Sequence, residues 1–129
     1  MYTGYFGKMK IYPKDKGYDY VSIARFNKFW KGKEYKKLAP PAEIIKIENK
    51  EVYTKLYYER VLNTLDPKVV YNELGENAVL LCYEKYDDIK SGKTFCHRNI
   101  VAEWLKNKLG VEIKELENED ENNNKQLHF

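Results

Sequence analysis

The densest group of reactive side chains in the sequence is Cys96-His97-Arg98, with Cys82 placed 14 residues before Cys96. A thiol can serve as nucleophile or metal ligand, an imidazole can move a proton near neutral pH, and a guanidinium offers a planar fork to an oxyanion. The triplet sits where a helix should begin. Ile100, Val101, Trp104, Leu105 and Leu109 share one face at helical spacing, and Gly110 supplies the stop. Helix N-termini present unpaired amides and about half a positive charge, so a thiolate, phosphate or carboxylate is favoured there. Arg98 is therefore expected to meet an oxyanion, with His97 as donor or general acid/base. The structural alternative makes Cys96 a small core residue, lets His97 cap a turn, and pairs Arg98 with Glu84 or Asp88.

Other chemistries find less support. A zinc site needs four ligands in tetrahedral order, and Cys82 and Cys96 lack a CxxC spacing, so no metal and no cofactor is expected. There is no C-x5-R loop of the kind phosphatases use, and Asp87 and Asp88, beside Ser91-Gly92, read as solvated turn residues. A second cluster is the segment from Lys28 to Lys37, where five lysines alternate with Phe29, Trp30 and Tyr35. Bases stack on aromatic faces while ammonium groups meet phosphates, so Trp30 and Lys33 suit a nucleotide or a single strand. The same composition suits a surface loop pinned to the core by Phe29 and Trp30.

The elements that must position these residues follow from periodicity. Tyr18 to Ala24 is β-branched and aromatic after the turn-like Pro13 to Gly17, and Ile44 to Ile47 is a shorter strand candidate. Residues 26 to 41, closed by Pro40-Pro41, read as a long loop. Tyr58, Val61, Leu62 and Leu65 form one stripe of a helix over 52–65. Asp66-Pro67 and Gly75 bracket a second helix over 67–74. Ala78 to Tyr83 is an unbroken apolar run, the pattern of a central strand covered on both faces, and Val111 to Leu116 returns as a last strand. This order is that of an α/β fold: a small, open, mainly parallel, Rossmann-like sheet flanked by helices, forming a single domain over 1–116. Ligands of such sheets bind beyond the carboxyl ends of the strands, which singles out Arg25 and Tyr83-Glu84-Lys85. Cys82 and Cys96 should lie close together there.

Composition sets the frame. The chain has 129 residues, and 43% hydrophobic residues suffice for one core. Nineteen aromatics, 12 of them Tyr, exclude a disordered chain. Residues 115–129 hold five acids (Glu115, Glu117, Glu119, Asp120, Glu121) against Lys125, while the rest carries 22 bases and 15 acids, a net +7. A domain that basic meets anions, whereas the stretch over 117–129 reads as an acidic, disordered tail. No run is long enough to span a bilayer, and Met1 to Tyr12 lacks a signal-peptide core. The expectation is a cytoplasmic protein with no membrane partner and both cysteines as reduced thiols.

The segment Val79-Leu80-Leu81-Cys82-Tyr83-Glu84-Lys85, followed after a loop by Cys96-His97-Arg98-Asn99-Ile100-Val101-Ala102-Glu103-Trp104-Leu105, resembles the signature of the domain of unknown function 488 family. Tyr2-Thr3-Gly4-Tyr5 resembles that family's first strand, and Ser22-Ile23-Ala24-Arg25 its second, although the family's Asp-Val-Arg motif has lost its acid here. The resemblance implies a single α/β domain with a site at the two motifs and implies no reaction.

Together these readings lead to an expected binding module for an anionic, nucleotide-like small molecule, sequestered in a pocket at the carboxyl edge of the sheet. Tyr5, Arg25, Trp30, Lys33, Tyr83, Glu84, Lys85, Cys96, His97 and Arg98 are its candidate ligand-binding residues. One alternative is an enzyme on the same ligand class, with Cys96 or Cys82 as nucleophile and His97 or Glu84 in proton transfer. Another is nucleic-acid binding through the lysine loop.

Overall fold

Ala78-Val79-Leu80-Leu81-Cys82 is buried at every position, as a strand covered on both faces must be. In the computed structural model, which describes residues 1–83 and 95–116, this strand is the centre of a five-stranded parallel sheet. In chain order the strands are β1 (Tyr2–Tyr5), β2 (Asp19–Ser22), β3 (Lys33–Glu34), β4 (Ala78–Cys82) and β5 (Lys114–Glu115). Their spatial order is β3-β2-β4-β1-β5. Register aligns Tyr5 with Cys82 and Ser22 with Leu81, so β1, β2 and β4 end together at one edge. The α/β fold with an open parallel sheet is as the sequence implies.

Among the described residues four helices connect the strands: α1 (Ala42–Ile45), α2 (Lys50–Arg60), α3 (Pro67–Leu74) and α4 (His97–Leu109). Asn49 caps α2 by accepting from Val52 N–H, and Asp66 caps α3 by accepting from Lys68 N–H ahead of Pro67. Gly110 ends α4 at φ +72°, a left-handed conformation that side chains resist.

All four helices feed one core. Ile44, Tyr53, Tyr57, Val70, Leu74, Val101, Trp104 and Leu105 pack with Val21, Ile23, Ala78 and Leu80 of the sheet. The opposite face, presenting Val79 and Leu81, is covered by Phe6, Tyr12, Ala24 and Leu116 with Tyr2, Tyr18 and Tyr20 around them. Tyr12 stacks on Tyr20 at 6.0 Å and Tyr2 meets Tyr18 edge-on at 5.5 Å. This layer accounts for much of the tyrosine content: an amphipathic ring shields the sheet while its hydroxyl reaches water or a carbonyl, as Tyr20 does at Pro13. Gly4 belongs to the same face, where a Cβ would come within 2.9 Å of Val79 Cγ1 and 3.0 Å of Leu81 Cδ2.

Three expectations need correction. Ile44 to Ile47 is not a strand: Ile44 is fully buried and Ile45 is 41% exposed, while Ile47 packs on the same core as Ile44. That spacing of three is helical, and Pro41 opens the turn as its N-cap. The loop over 26–41 contains strand β3, two exposed residues paired with Val21 and Ser22 and carrying no apolar signal. The expected helix over 52–65 begins two residues earlier and gives way after Arg60 to a 3-10 turn at Leu62–Thr64. The tail over 117–129 and the segment 84–94 lie outside the described residues.

Tyr57 ties α2 to the sheet side. Its buried hydroxyl donates to Leu38 C=O at 2.6 Å, and burial, reinforced by Tyr53, holds the phenol protonated well above its ordinary range. Tyr57→Phe leaves that carbonyl unpaired and should cost about 1–3 kcal/mol in chemical denaturation. An unchanged denaturation midpoint would count against this accounting.

Candidate functional site

The carboxyl edge is built from the ends of β1, β2 and β4 and the start of α4. Cys82 closes β4 and Cys96 is the residue before α4, so both side chains converge behind the edge, at 1% and 6% exposure. The expected proximity is present, but the two sulfurs are joined as a disulfide, which corrects the expectation of free thiols. Tertiary convergence places them there; sequence distance between cysteines carries no such information.

His97 lies inward of Cys96. Its Nε2 is 2.7 Å from Ile23 C=O, where β2 ends, and its Nδ1 is 3.7 Å from Cys96 Sγ. A carbonyl only accepts, so Nε2 carries the proton and Nδ1 keeps its lone pair. Burial drives the His97 pKa down to about 4, with the Arg98 charge adding to it and the Ile23 hydrogen bond opposing it. The ring also meets Tyr57 edge-on at 5.8 Å.

Arg98 is fully buried and spoken for. Its Nε and Nη2 each donate to Glu115, at 3.1 Å to Oε1 and 3.1 Å to Oε2, and its Nη1 donates to Cys82 Sγ at 3.0 Å. Thr3 Oγ1 donates to the same Glu115 Oε1 at 2.7 Å. The expected meeting of Arg98 with a ligand oxyanion is thereby corrected: the oxyanion is a carboxylate of the chain itself. The partner is neither Glu84 nor Asp88 but Glu115, counted by composition with the acidic tail and found with its side chain 7% exposed beside β1. The strand expected over Val111 to Leu116 forms at Lys114–Glu115, and its pairing with β1, which no local pattern encodes, delivers Glu115.

The exposed part of the edge is aromatic. Phe6, directly after β1, is buried beneath Phe29, Trp30 and Tyr83, with ring centroids 5.2, 5.4 and 5.1 Å away. Phe29 also meets Tyr83 at 5.7 Å, and the Tyr83 hydroxyl donates to Phe26 C=O. Phe26 and Phe29 are 61% and 59% exposed, and the Arg25 guanidinium lies over the Phe26 ring at 6.0 Å. Lys36 shapes this loop from below, with Nζ donating to the carbonyls of Ala24 and Arg25 and to Asn27 Oδ1.

The structure thus brings Tyr83, Trp30 and Arg25 to one surface, together with Phe29, one of the aromatics of the lysine segment, and Phe26, to which residue chemistry had assigned no ligand role. Tyr5 stands at the same edge, its backbone N–H donating to the Tyr12 hydroxyl. Lys33 is held elsewhere, by an ion pair with Asp19 at 2.9 Å. Lys37 pairs with Glu73 and Lys36 with Glu34, so the lysine loop presents fewer free cations than its composition suggests. Glu84 and Lys85 lie outside the described residues. Among the described residues no helix is long and apolar enough to cross a membrane. Compared with protein-family models, curated proteins and solved structures, the chain matches none.

Proposed function

We propose that this protein binds a phosphate-bearing aromatic small molecule, a nucleotide or nucleotide-derived signal, at the carboxyl edge of its sheet and holds it unchanged. The observation that carries the reading is the exposed ring of Phe29, adjoining Tyr83 and underlain by Phe6, with the exposed Phe26 tied to the same Tyr83 through its backbone carbonyl. Large rings are seldom left in water beside one another without a partner. A nucleobase stacks on such rings, and Arg25, exposed at the same edge, supplies a fork for phosphate. Open parallel sheets take ligands at this edge. Within this reading the buried Cys-His-Arg group supports the edge from behind. Tied lysines 33, 36 and 37 disfavour the longer anionic track that a nucleic-acid strand needs.

The test is thermal unfolding with nucleoside mono-, di- and triphosphates and cyclic nucleotides, each beside ribose 5-phosphate and inorganic phosphate. A true ligand at about 100 times its Kd should add roughly 2.7 kcal/mol and be recovered chemically intact. Phe29→Ala should weaken it by about 1–3 kcal/mol, roughly 5- to 150-fold in Kd, through lost stacking. Arg25→Ala should reduce the advantage of the nucleotide over its nucleoside. If no nucleotide shifts the melting curve, or if the shift survives both substitutions, the reading fails.

A further inference from the structure

Cys82 Sγ, Cys96 Sγ and a His97 ring nitrogen lie within 4.8 Å of one another, all three residues buried. We propose that, once the Cys82–Cys96 bond is reduced, these three side chains form a binding site for a thiophilic divalent cation of the zinc class.

Four observations carry this. First, the donor set is soft, two sulfurs and one imidazole, which selects zinc over magnesium or calcium. Second, the imidazole is already held as a ligand must be: Nε2–H donates to Ile23 C=O, and the bare Nδ1 lies 3.7 Å from Cys96 Sγ. Third, the Cα atoms of the two cysteines are 7.2 Å apart. That spacing lets both sulfurs reach one shared atom at the roughly 2.3 Å of a zinc–thiolate bond. Fourth, the charges close. Two thiolates, a neutral imidazole and a divalent cation sum to zero, while Arg98 and Glu115 already cancel each other. A monovalent copper ion would leave a buried net negative charge, which favours the divalent cation. Arg98 Nη1, 3.0 Å from Cys82 Sγ, is then the outer hydrogen-bond donor that steadies a ligating thiolate.

The chemistry balances in two steps. A dithiol reductant gives two electrons and two protons to the disulfide, opening it to two thiols and itself becoming a disulfide. The cation then replaces the two thiol protons, which leave to solvent, and water completes the tetrahedron. Pairing of the cysteines and metal binding are therefore mutually exclusive states of one site. This inference is independent of nucleotide binding at the aromatic surface.

Co(II) is the optical probe and Zn(II) the competitor, added to full-length protein reduced and freed of reductant under anaerobic conditions. Reduced wild type should take up one equivalent with thiolate-to-cobalt charge-transfer absorption, release protons on binding, and lose that absorption when zinc is added. Bound zinc should shield both thiols from alkylation. The disulfide form should take up none. Cys82→Ser, Cys96→Ser and His97→Gln should each lower affinity by more than the roughly 100-fold that loss of an outer partner costs. Should a variant fail to fold, the wild-type comparison of reduced with oxidised protein and the alkylation protection decide the matter alone. Reduced wild type without charge-transfer absorption, or equal uptake by the oxidised form, overturns the proposal.

Discussion

Arg98→Ala should lower the stability of the ligand-free protein by about 3–5 kcal/mol, because it leaves the Glu115 carboxylate buried with no counter-charge. For a domain of this size that is a fall of roughly 11–18 °C in melting temperature. The magnitude follows from the geometry: the guanidinium is fully buried, pairs with both carboxylate oxygens at 3.1 Å, and spends its remaining arm on Cys82 Sγ. Among the described residues, Thr3 Oγ1 would still donate to the carboxylate. Glu115→Gln should also destabilise, since the arginine then carries the unpaired charge. Combining Arg98→Ala with Glu115→Gln should cost less than the two single changes together, which a double-mutant cycle measures. Had Arg98 served a ligand instead, its removal would leave the free protein's melting temperature nearly unchanged. That outcome would return it to the binding surface.

Trp104→Ala is expected to cost about 3–5 kcal/mol in urea unfolding, the range for deleting a large buried ring. Trp104 is 2% exposed and lies on the face of α4 that packs against the sheet. That face sets the depth at which α4 starts, and so the reach of His97 to Ile23 C=O and of Arg98 to Glu115. Trp104→Phe refills much of the space and should cost considerably less. An exposed ring offers the contrast: Phe29→Ala should stay within about 0.5 kcal/mol of wild type in the absence of ligand. Equal losses at Trp104 and Phe29 would show that the aromatic edge is structural and would count against its use for a ligand.

Local patterns in the sequence carried the strands and helices whose faces are clearly apolar. Ala78 to Cys82 reads as a doubly covered strand because nothing polar interrupts it, and α3 and α4 announce themselves through Asp66-Pro67, Gly75 and Gly110. Of the two short strands held by backbone pairing, β5 was expected within Val111 to Leu116, whereas β3 was illegible. Lys33–Glu34 is a strand only because Val21 and Ser22 lie alongside it, and Ile44 to Ile47 carries β-branched residues yet turns as a helix after Pro41.

The chain by itself determined which chemical groups exist, which helix begins at Cys96-His97-Arg98, and that β4 ends at Cys82. It also determined that these two ends meet, since parallel strands and the helices that follow them share an edge. Only the tertiary structure decided what the groups do to one another. Charge pairing depends on distance in space, and the approach of Glu115 to Arg98 is set by β5 lying beside β1, a long-range pairing that no local period encodes. The same packing turned the arginine inward, joined the two sulfurs, brought the His97 lone pair beside Cys96 Sγ, and left Phe26 and Phe29 in water.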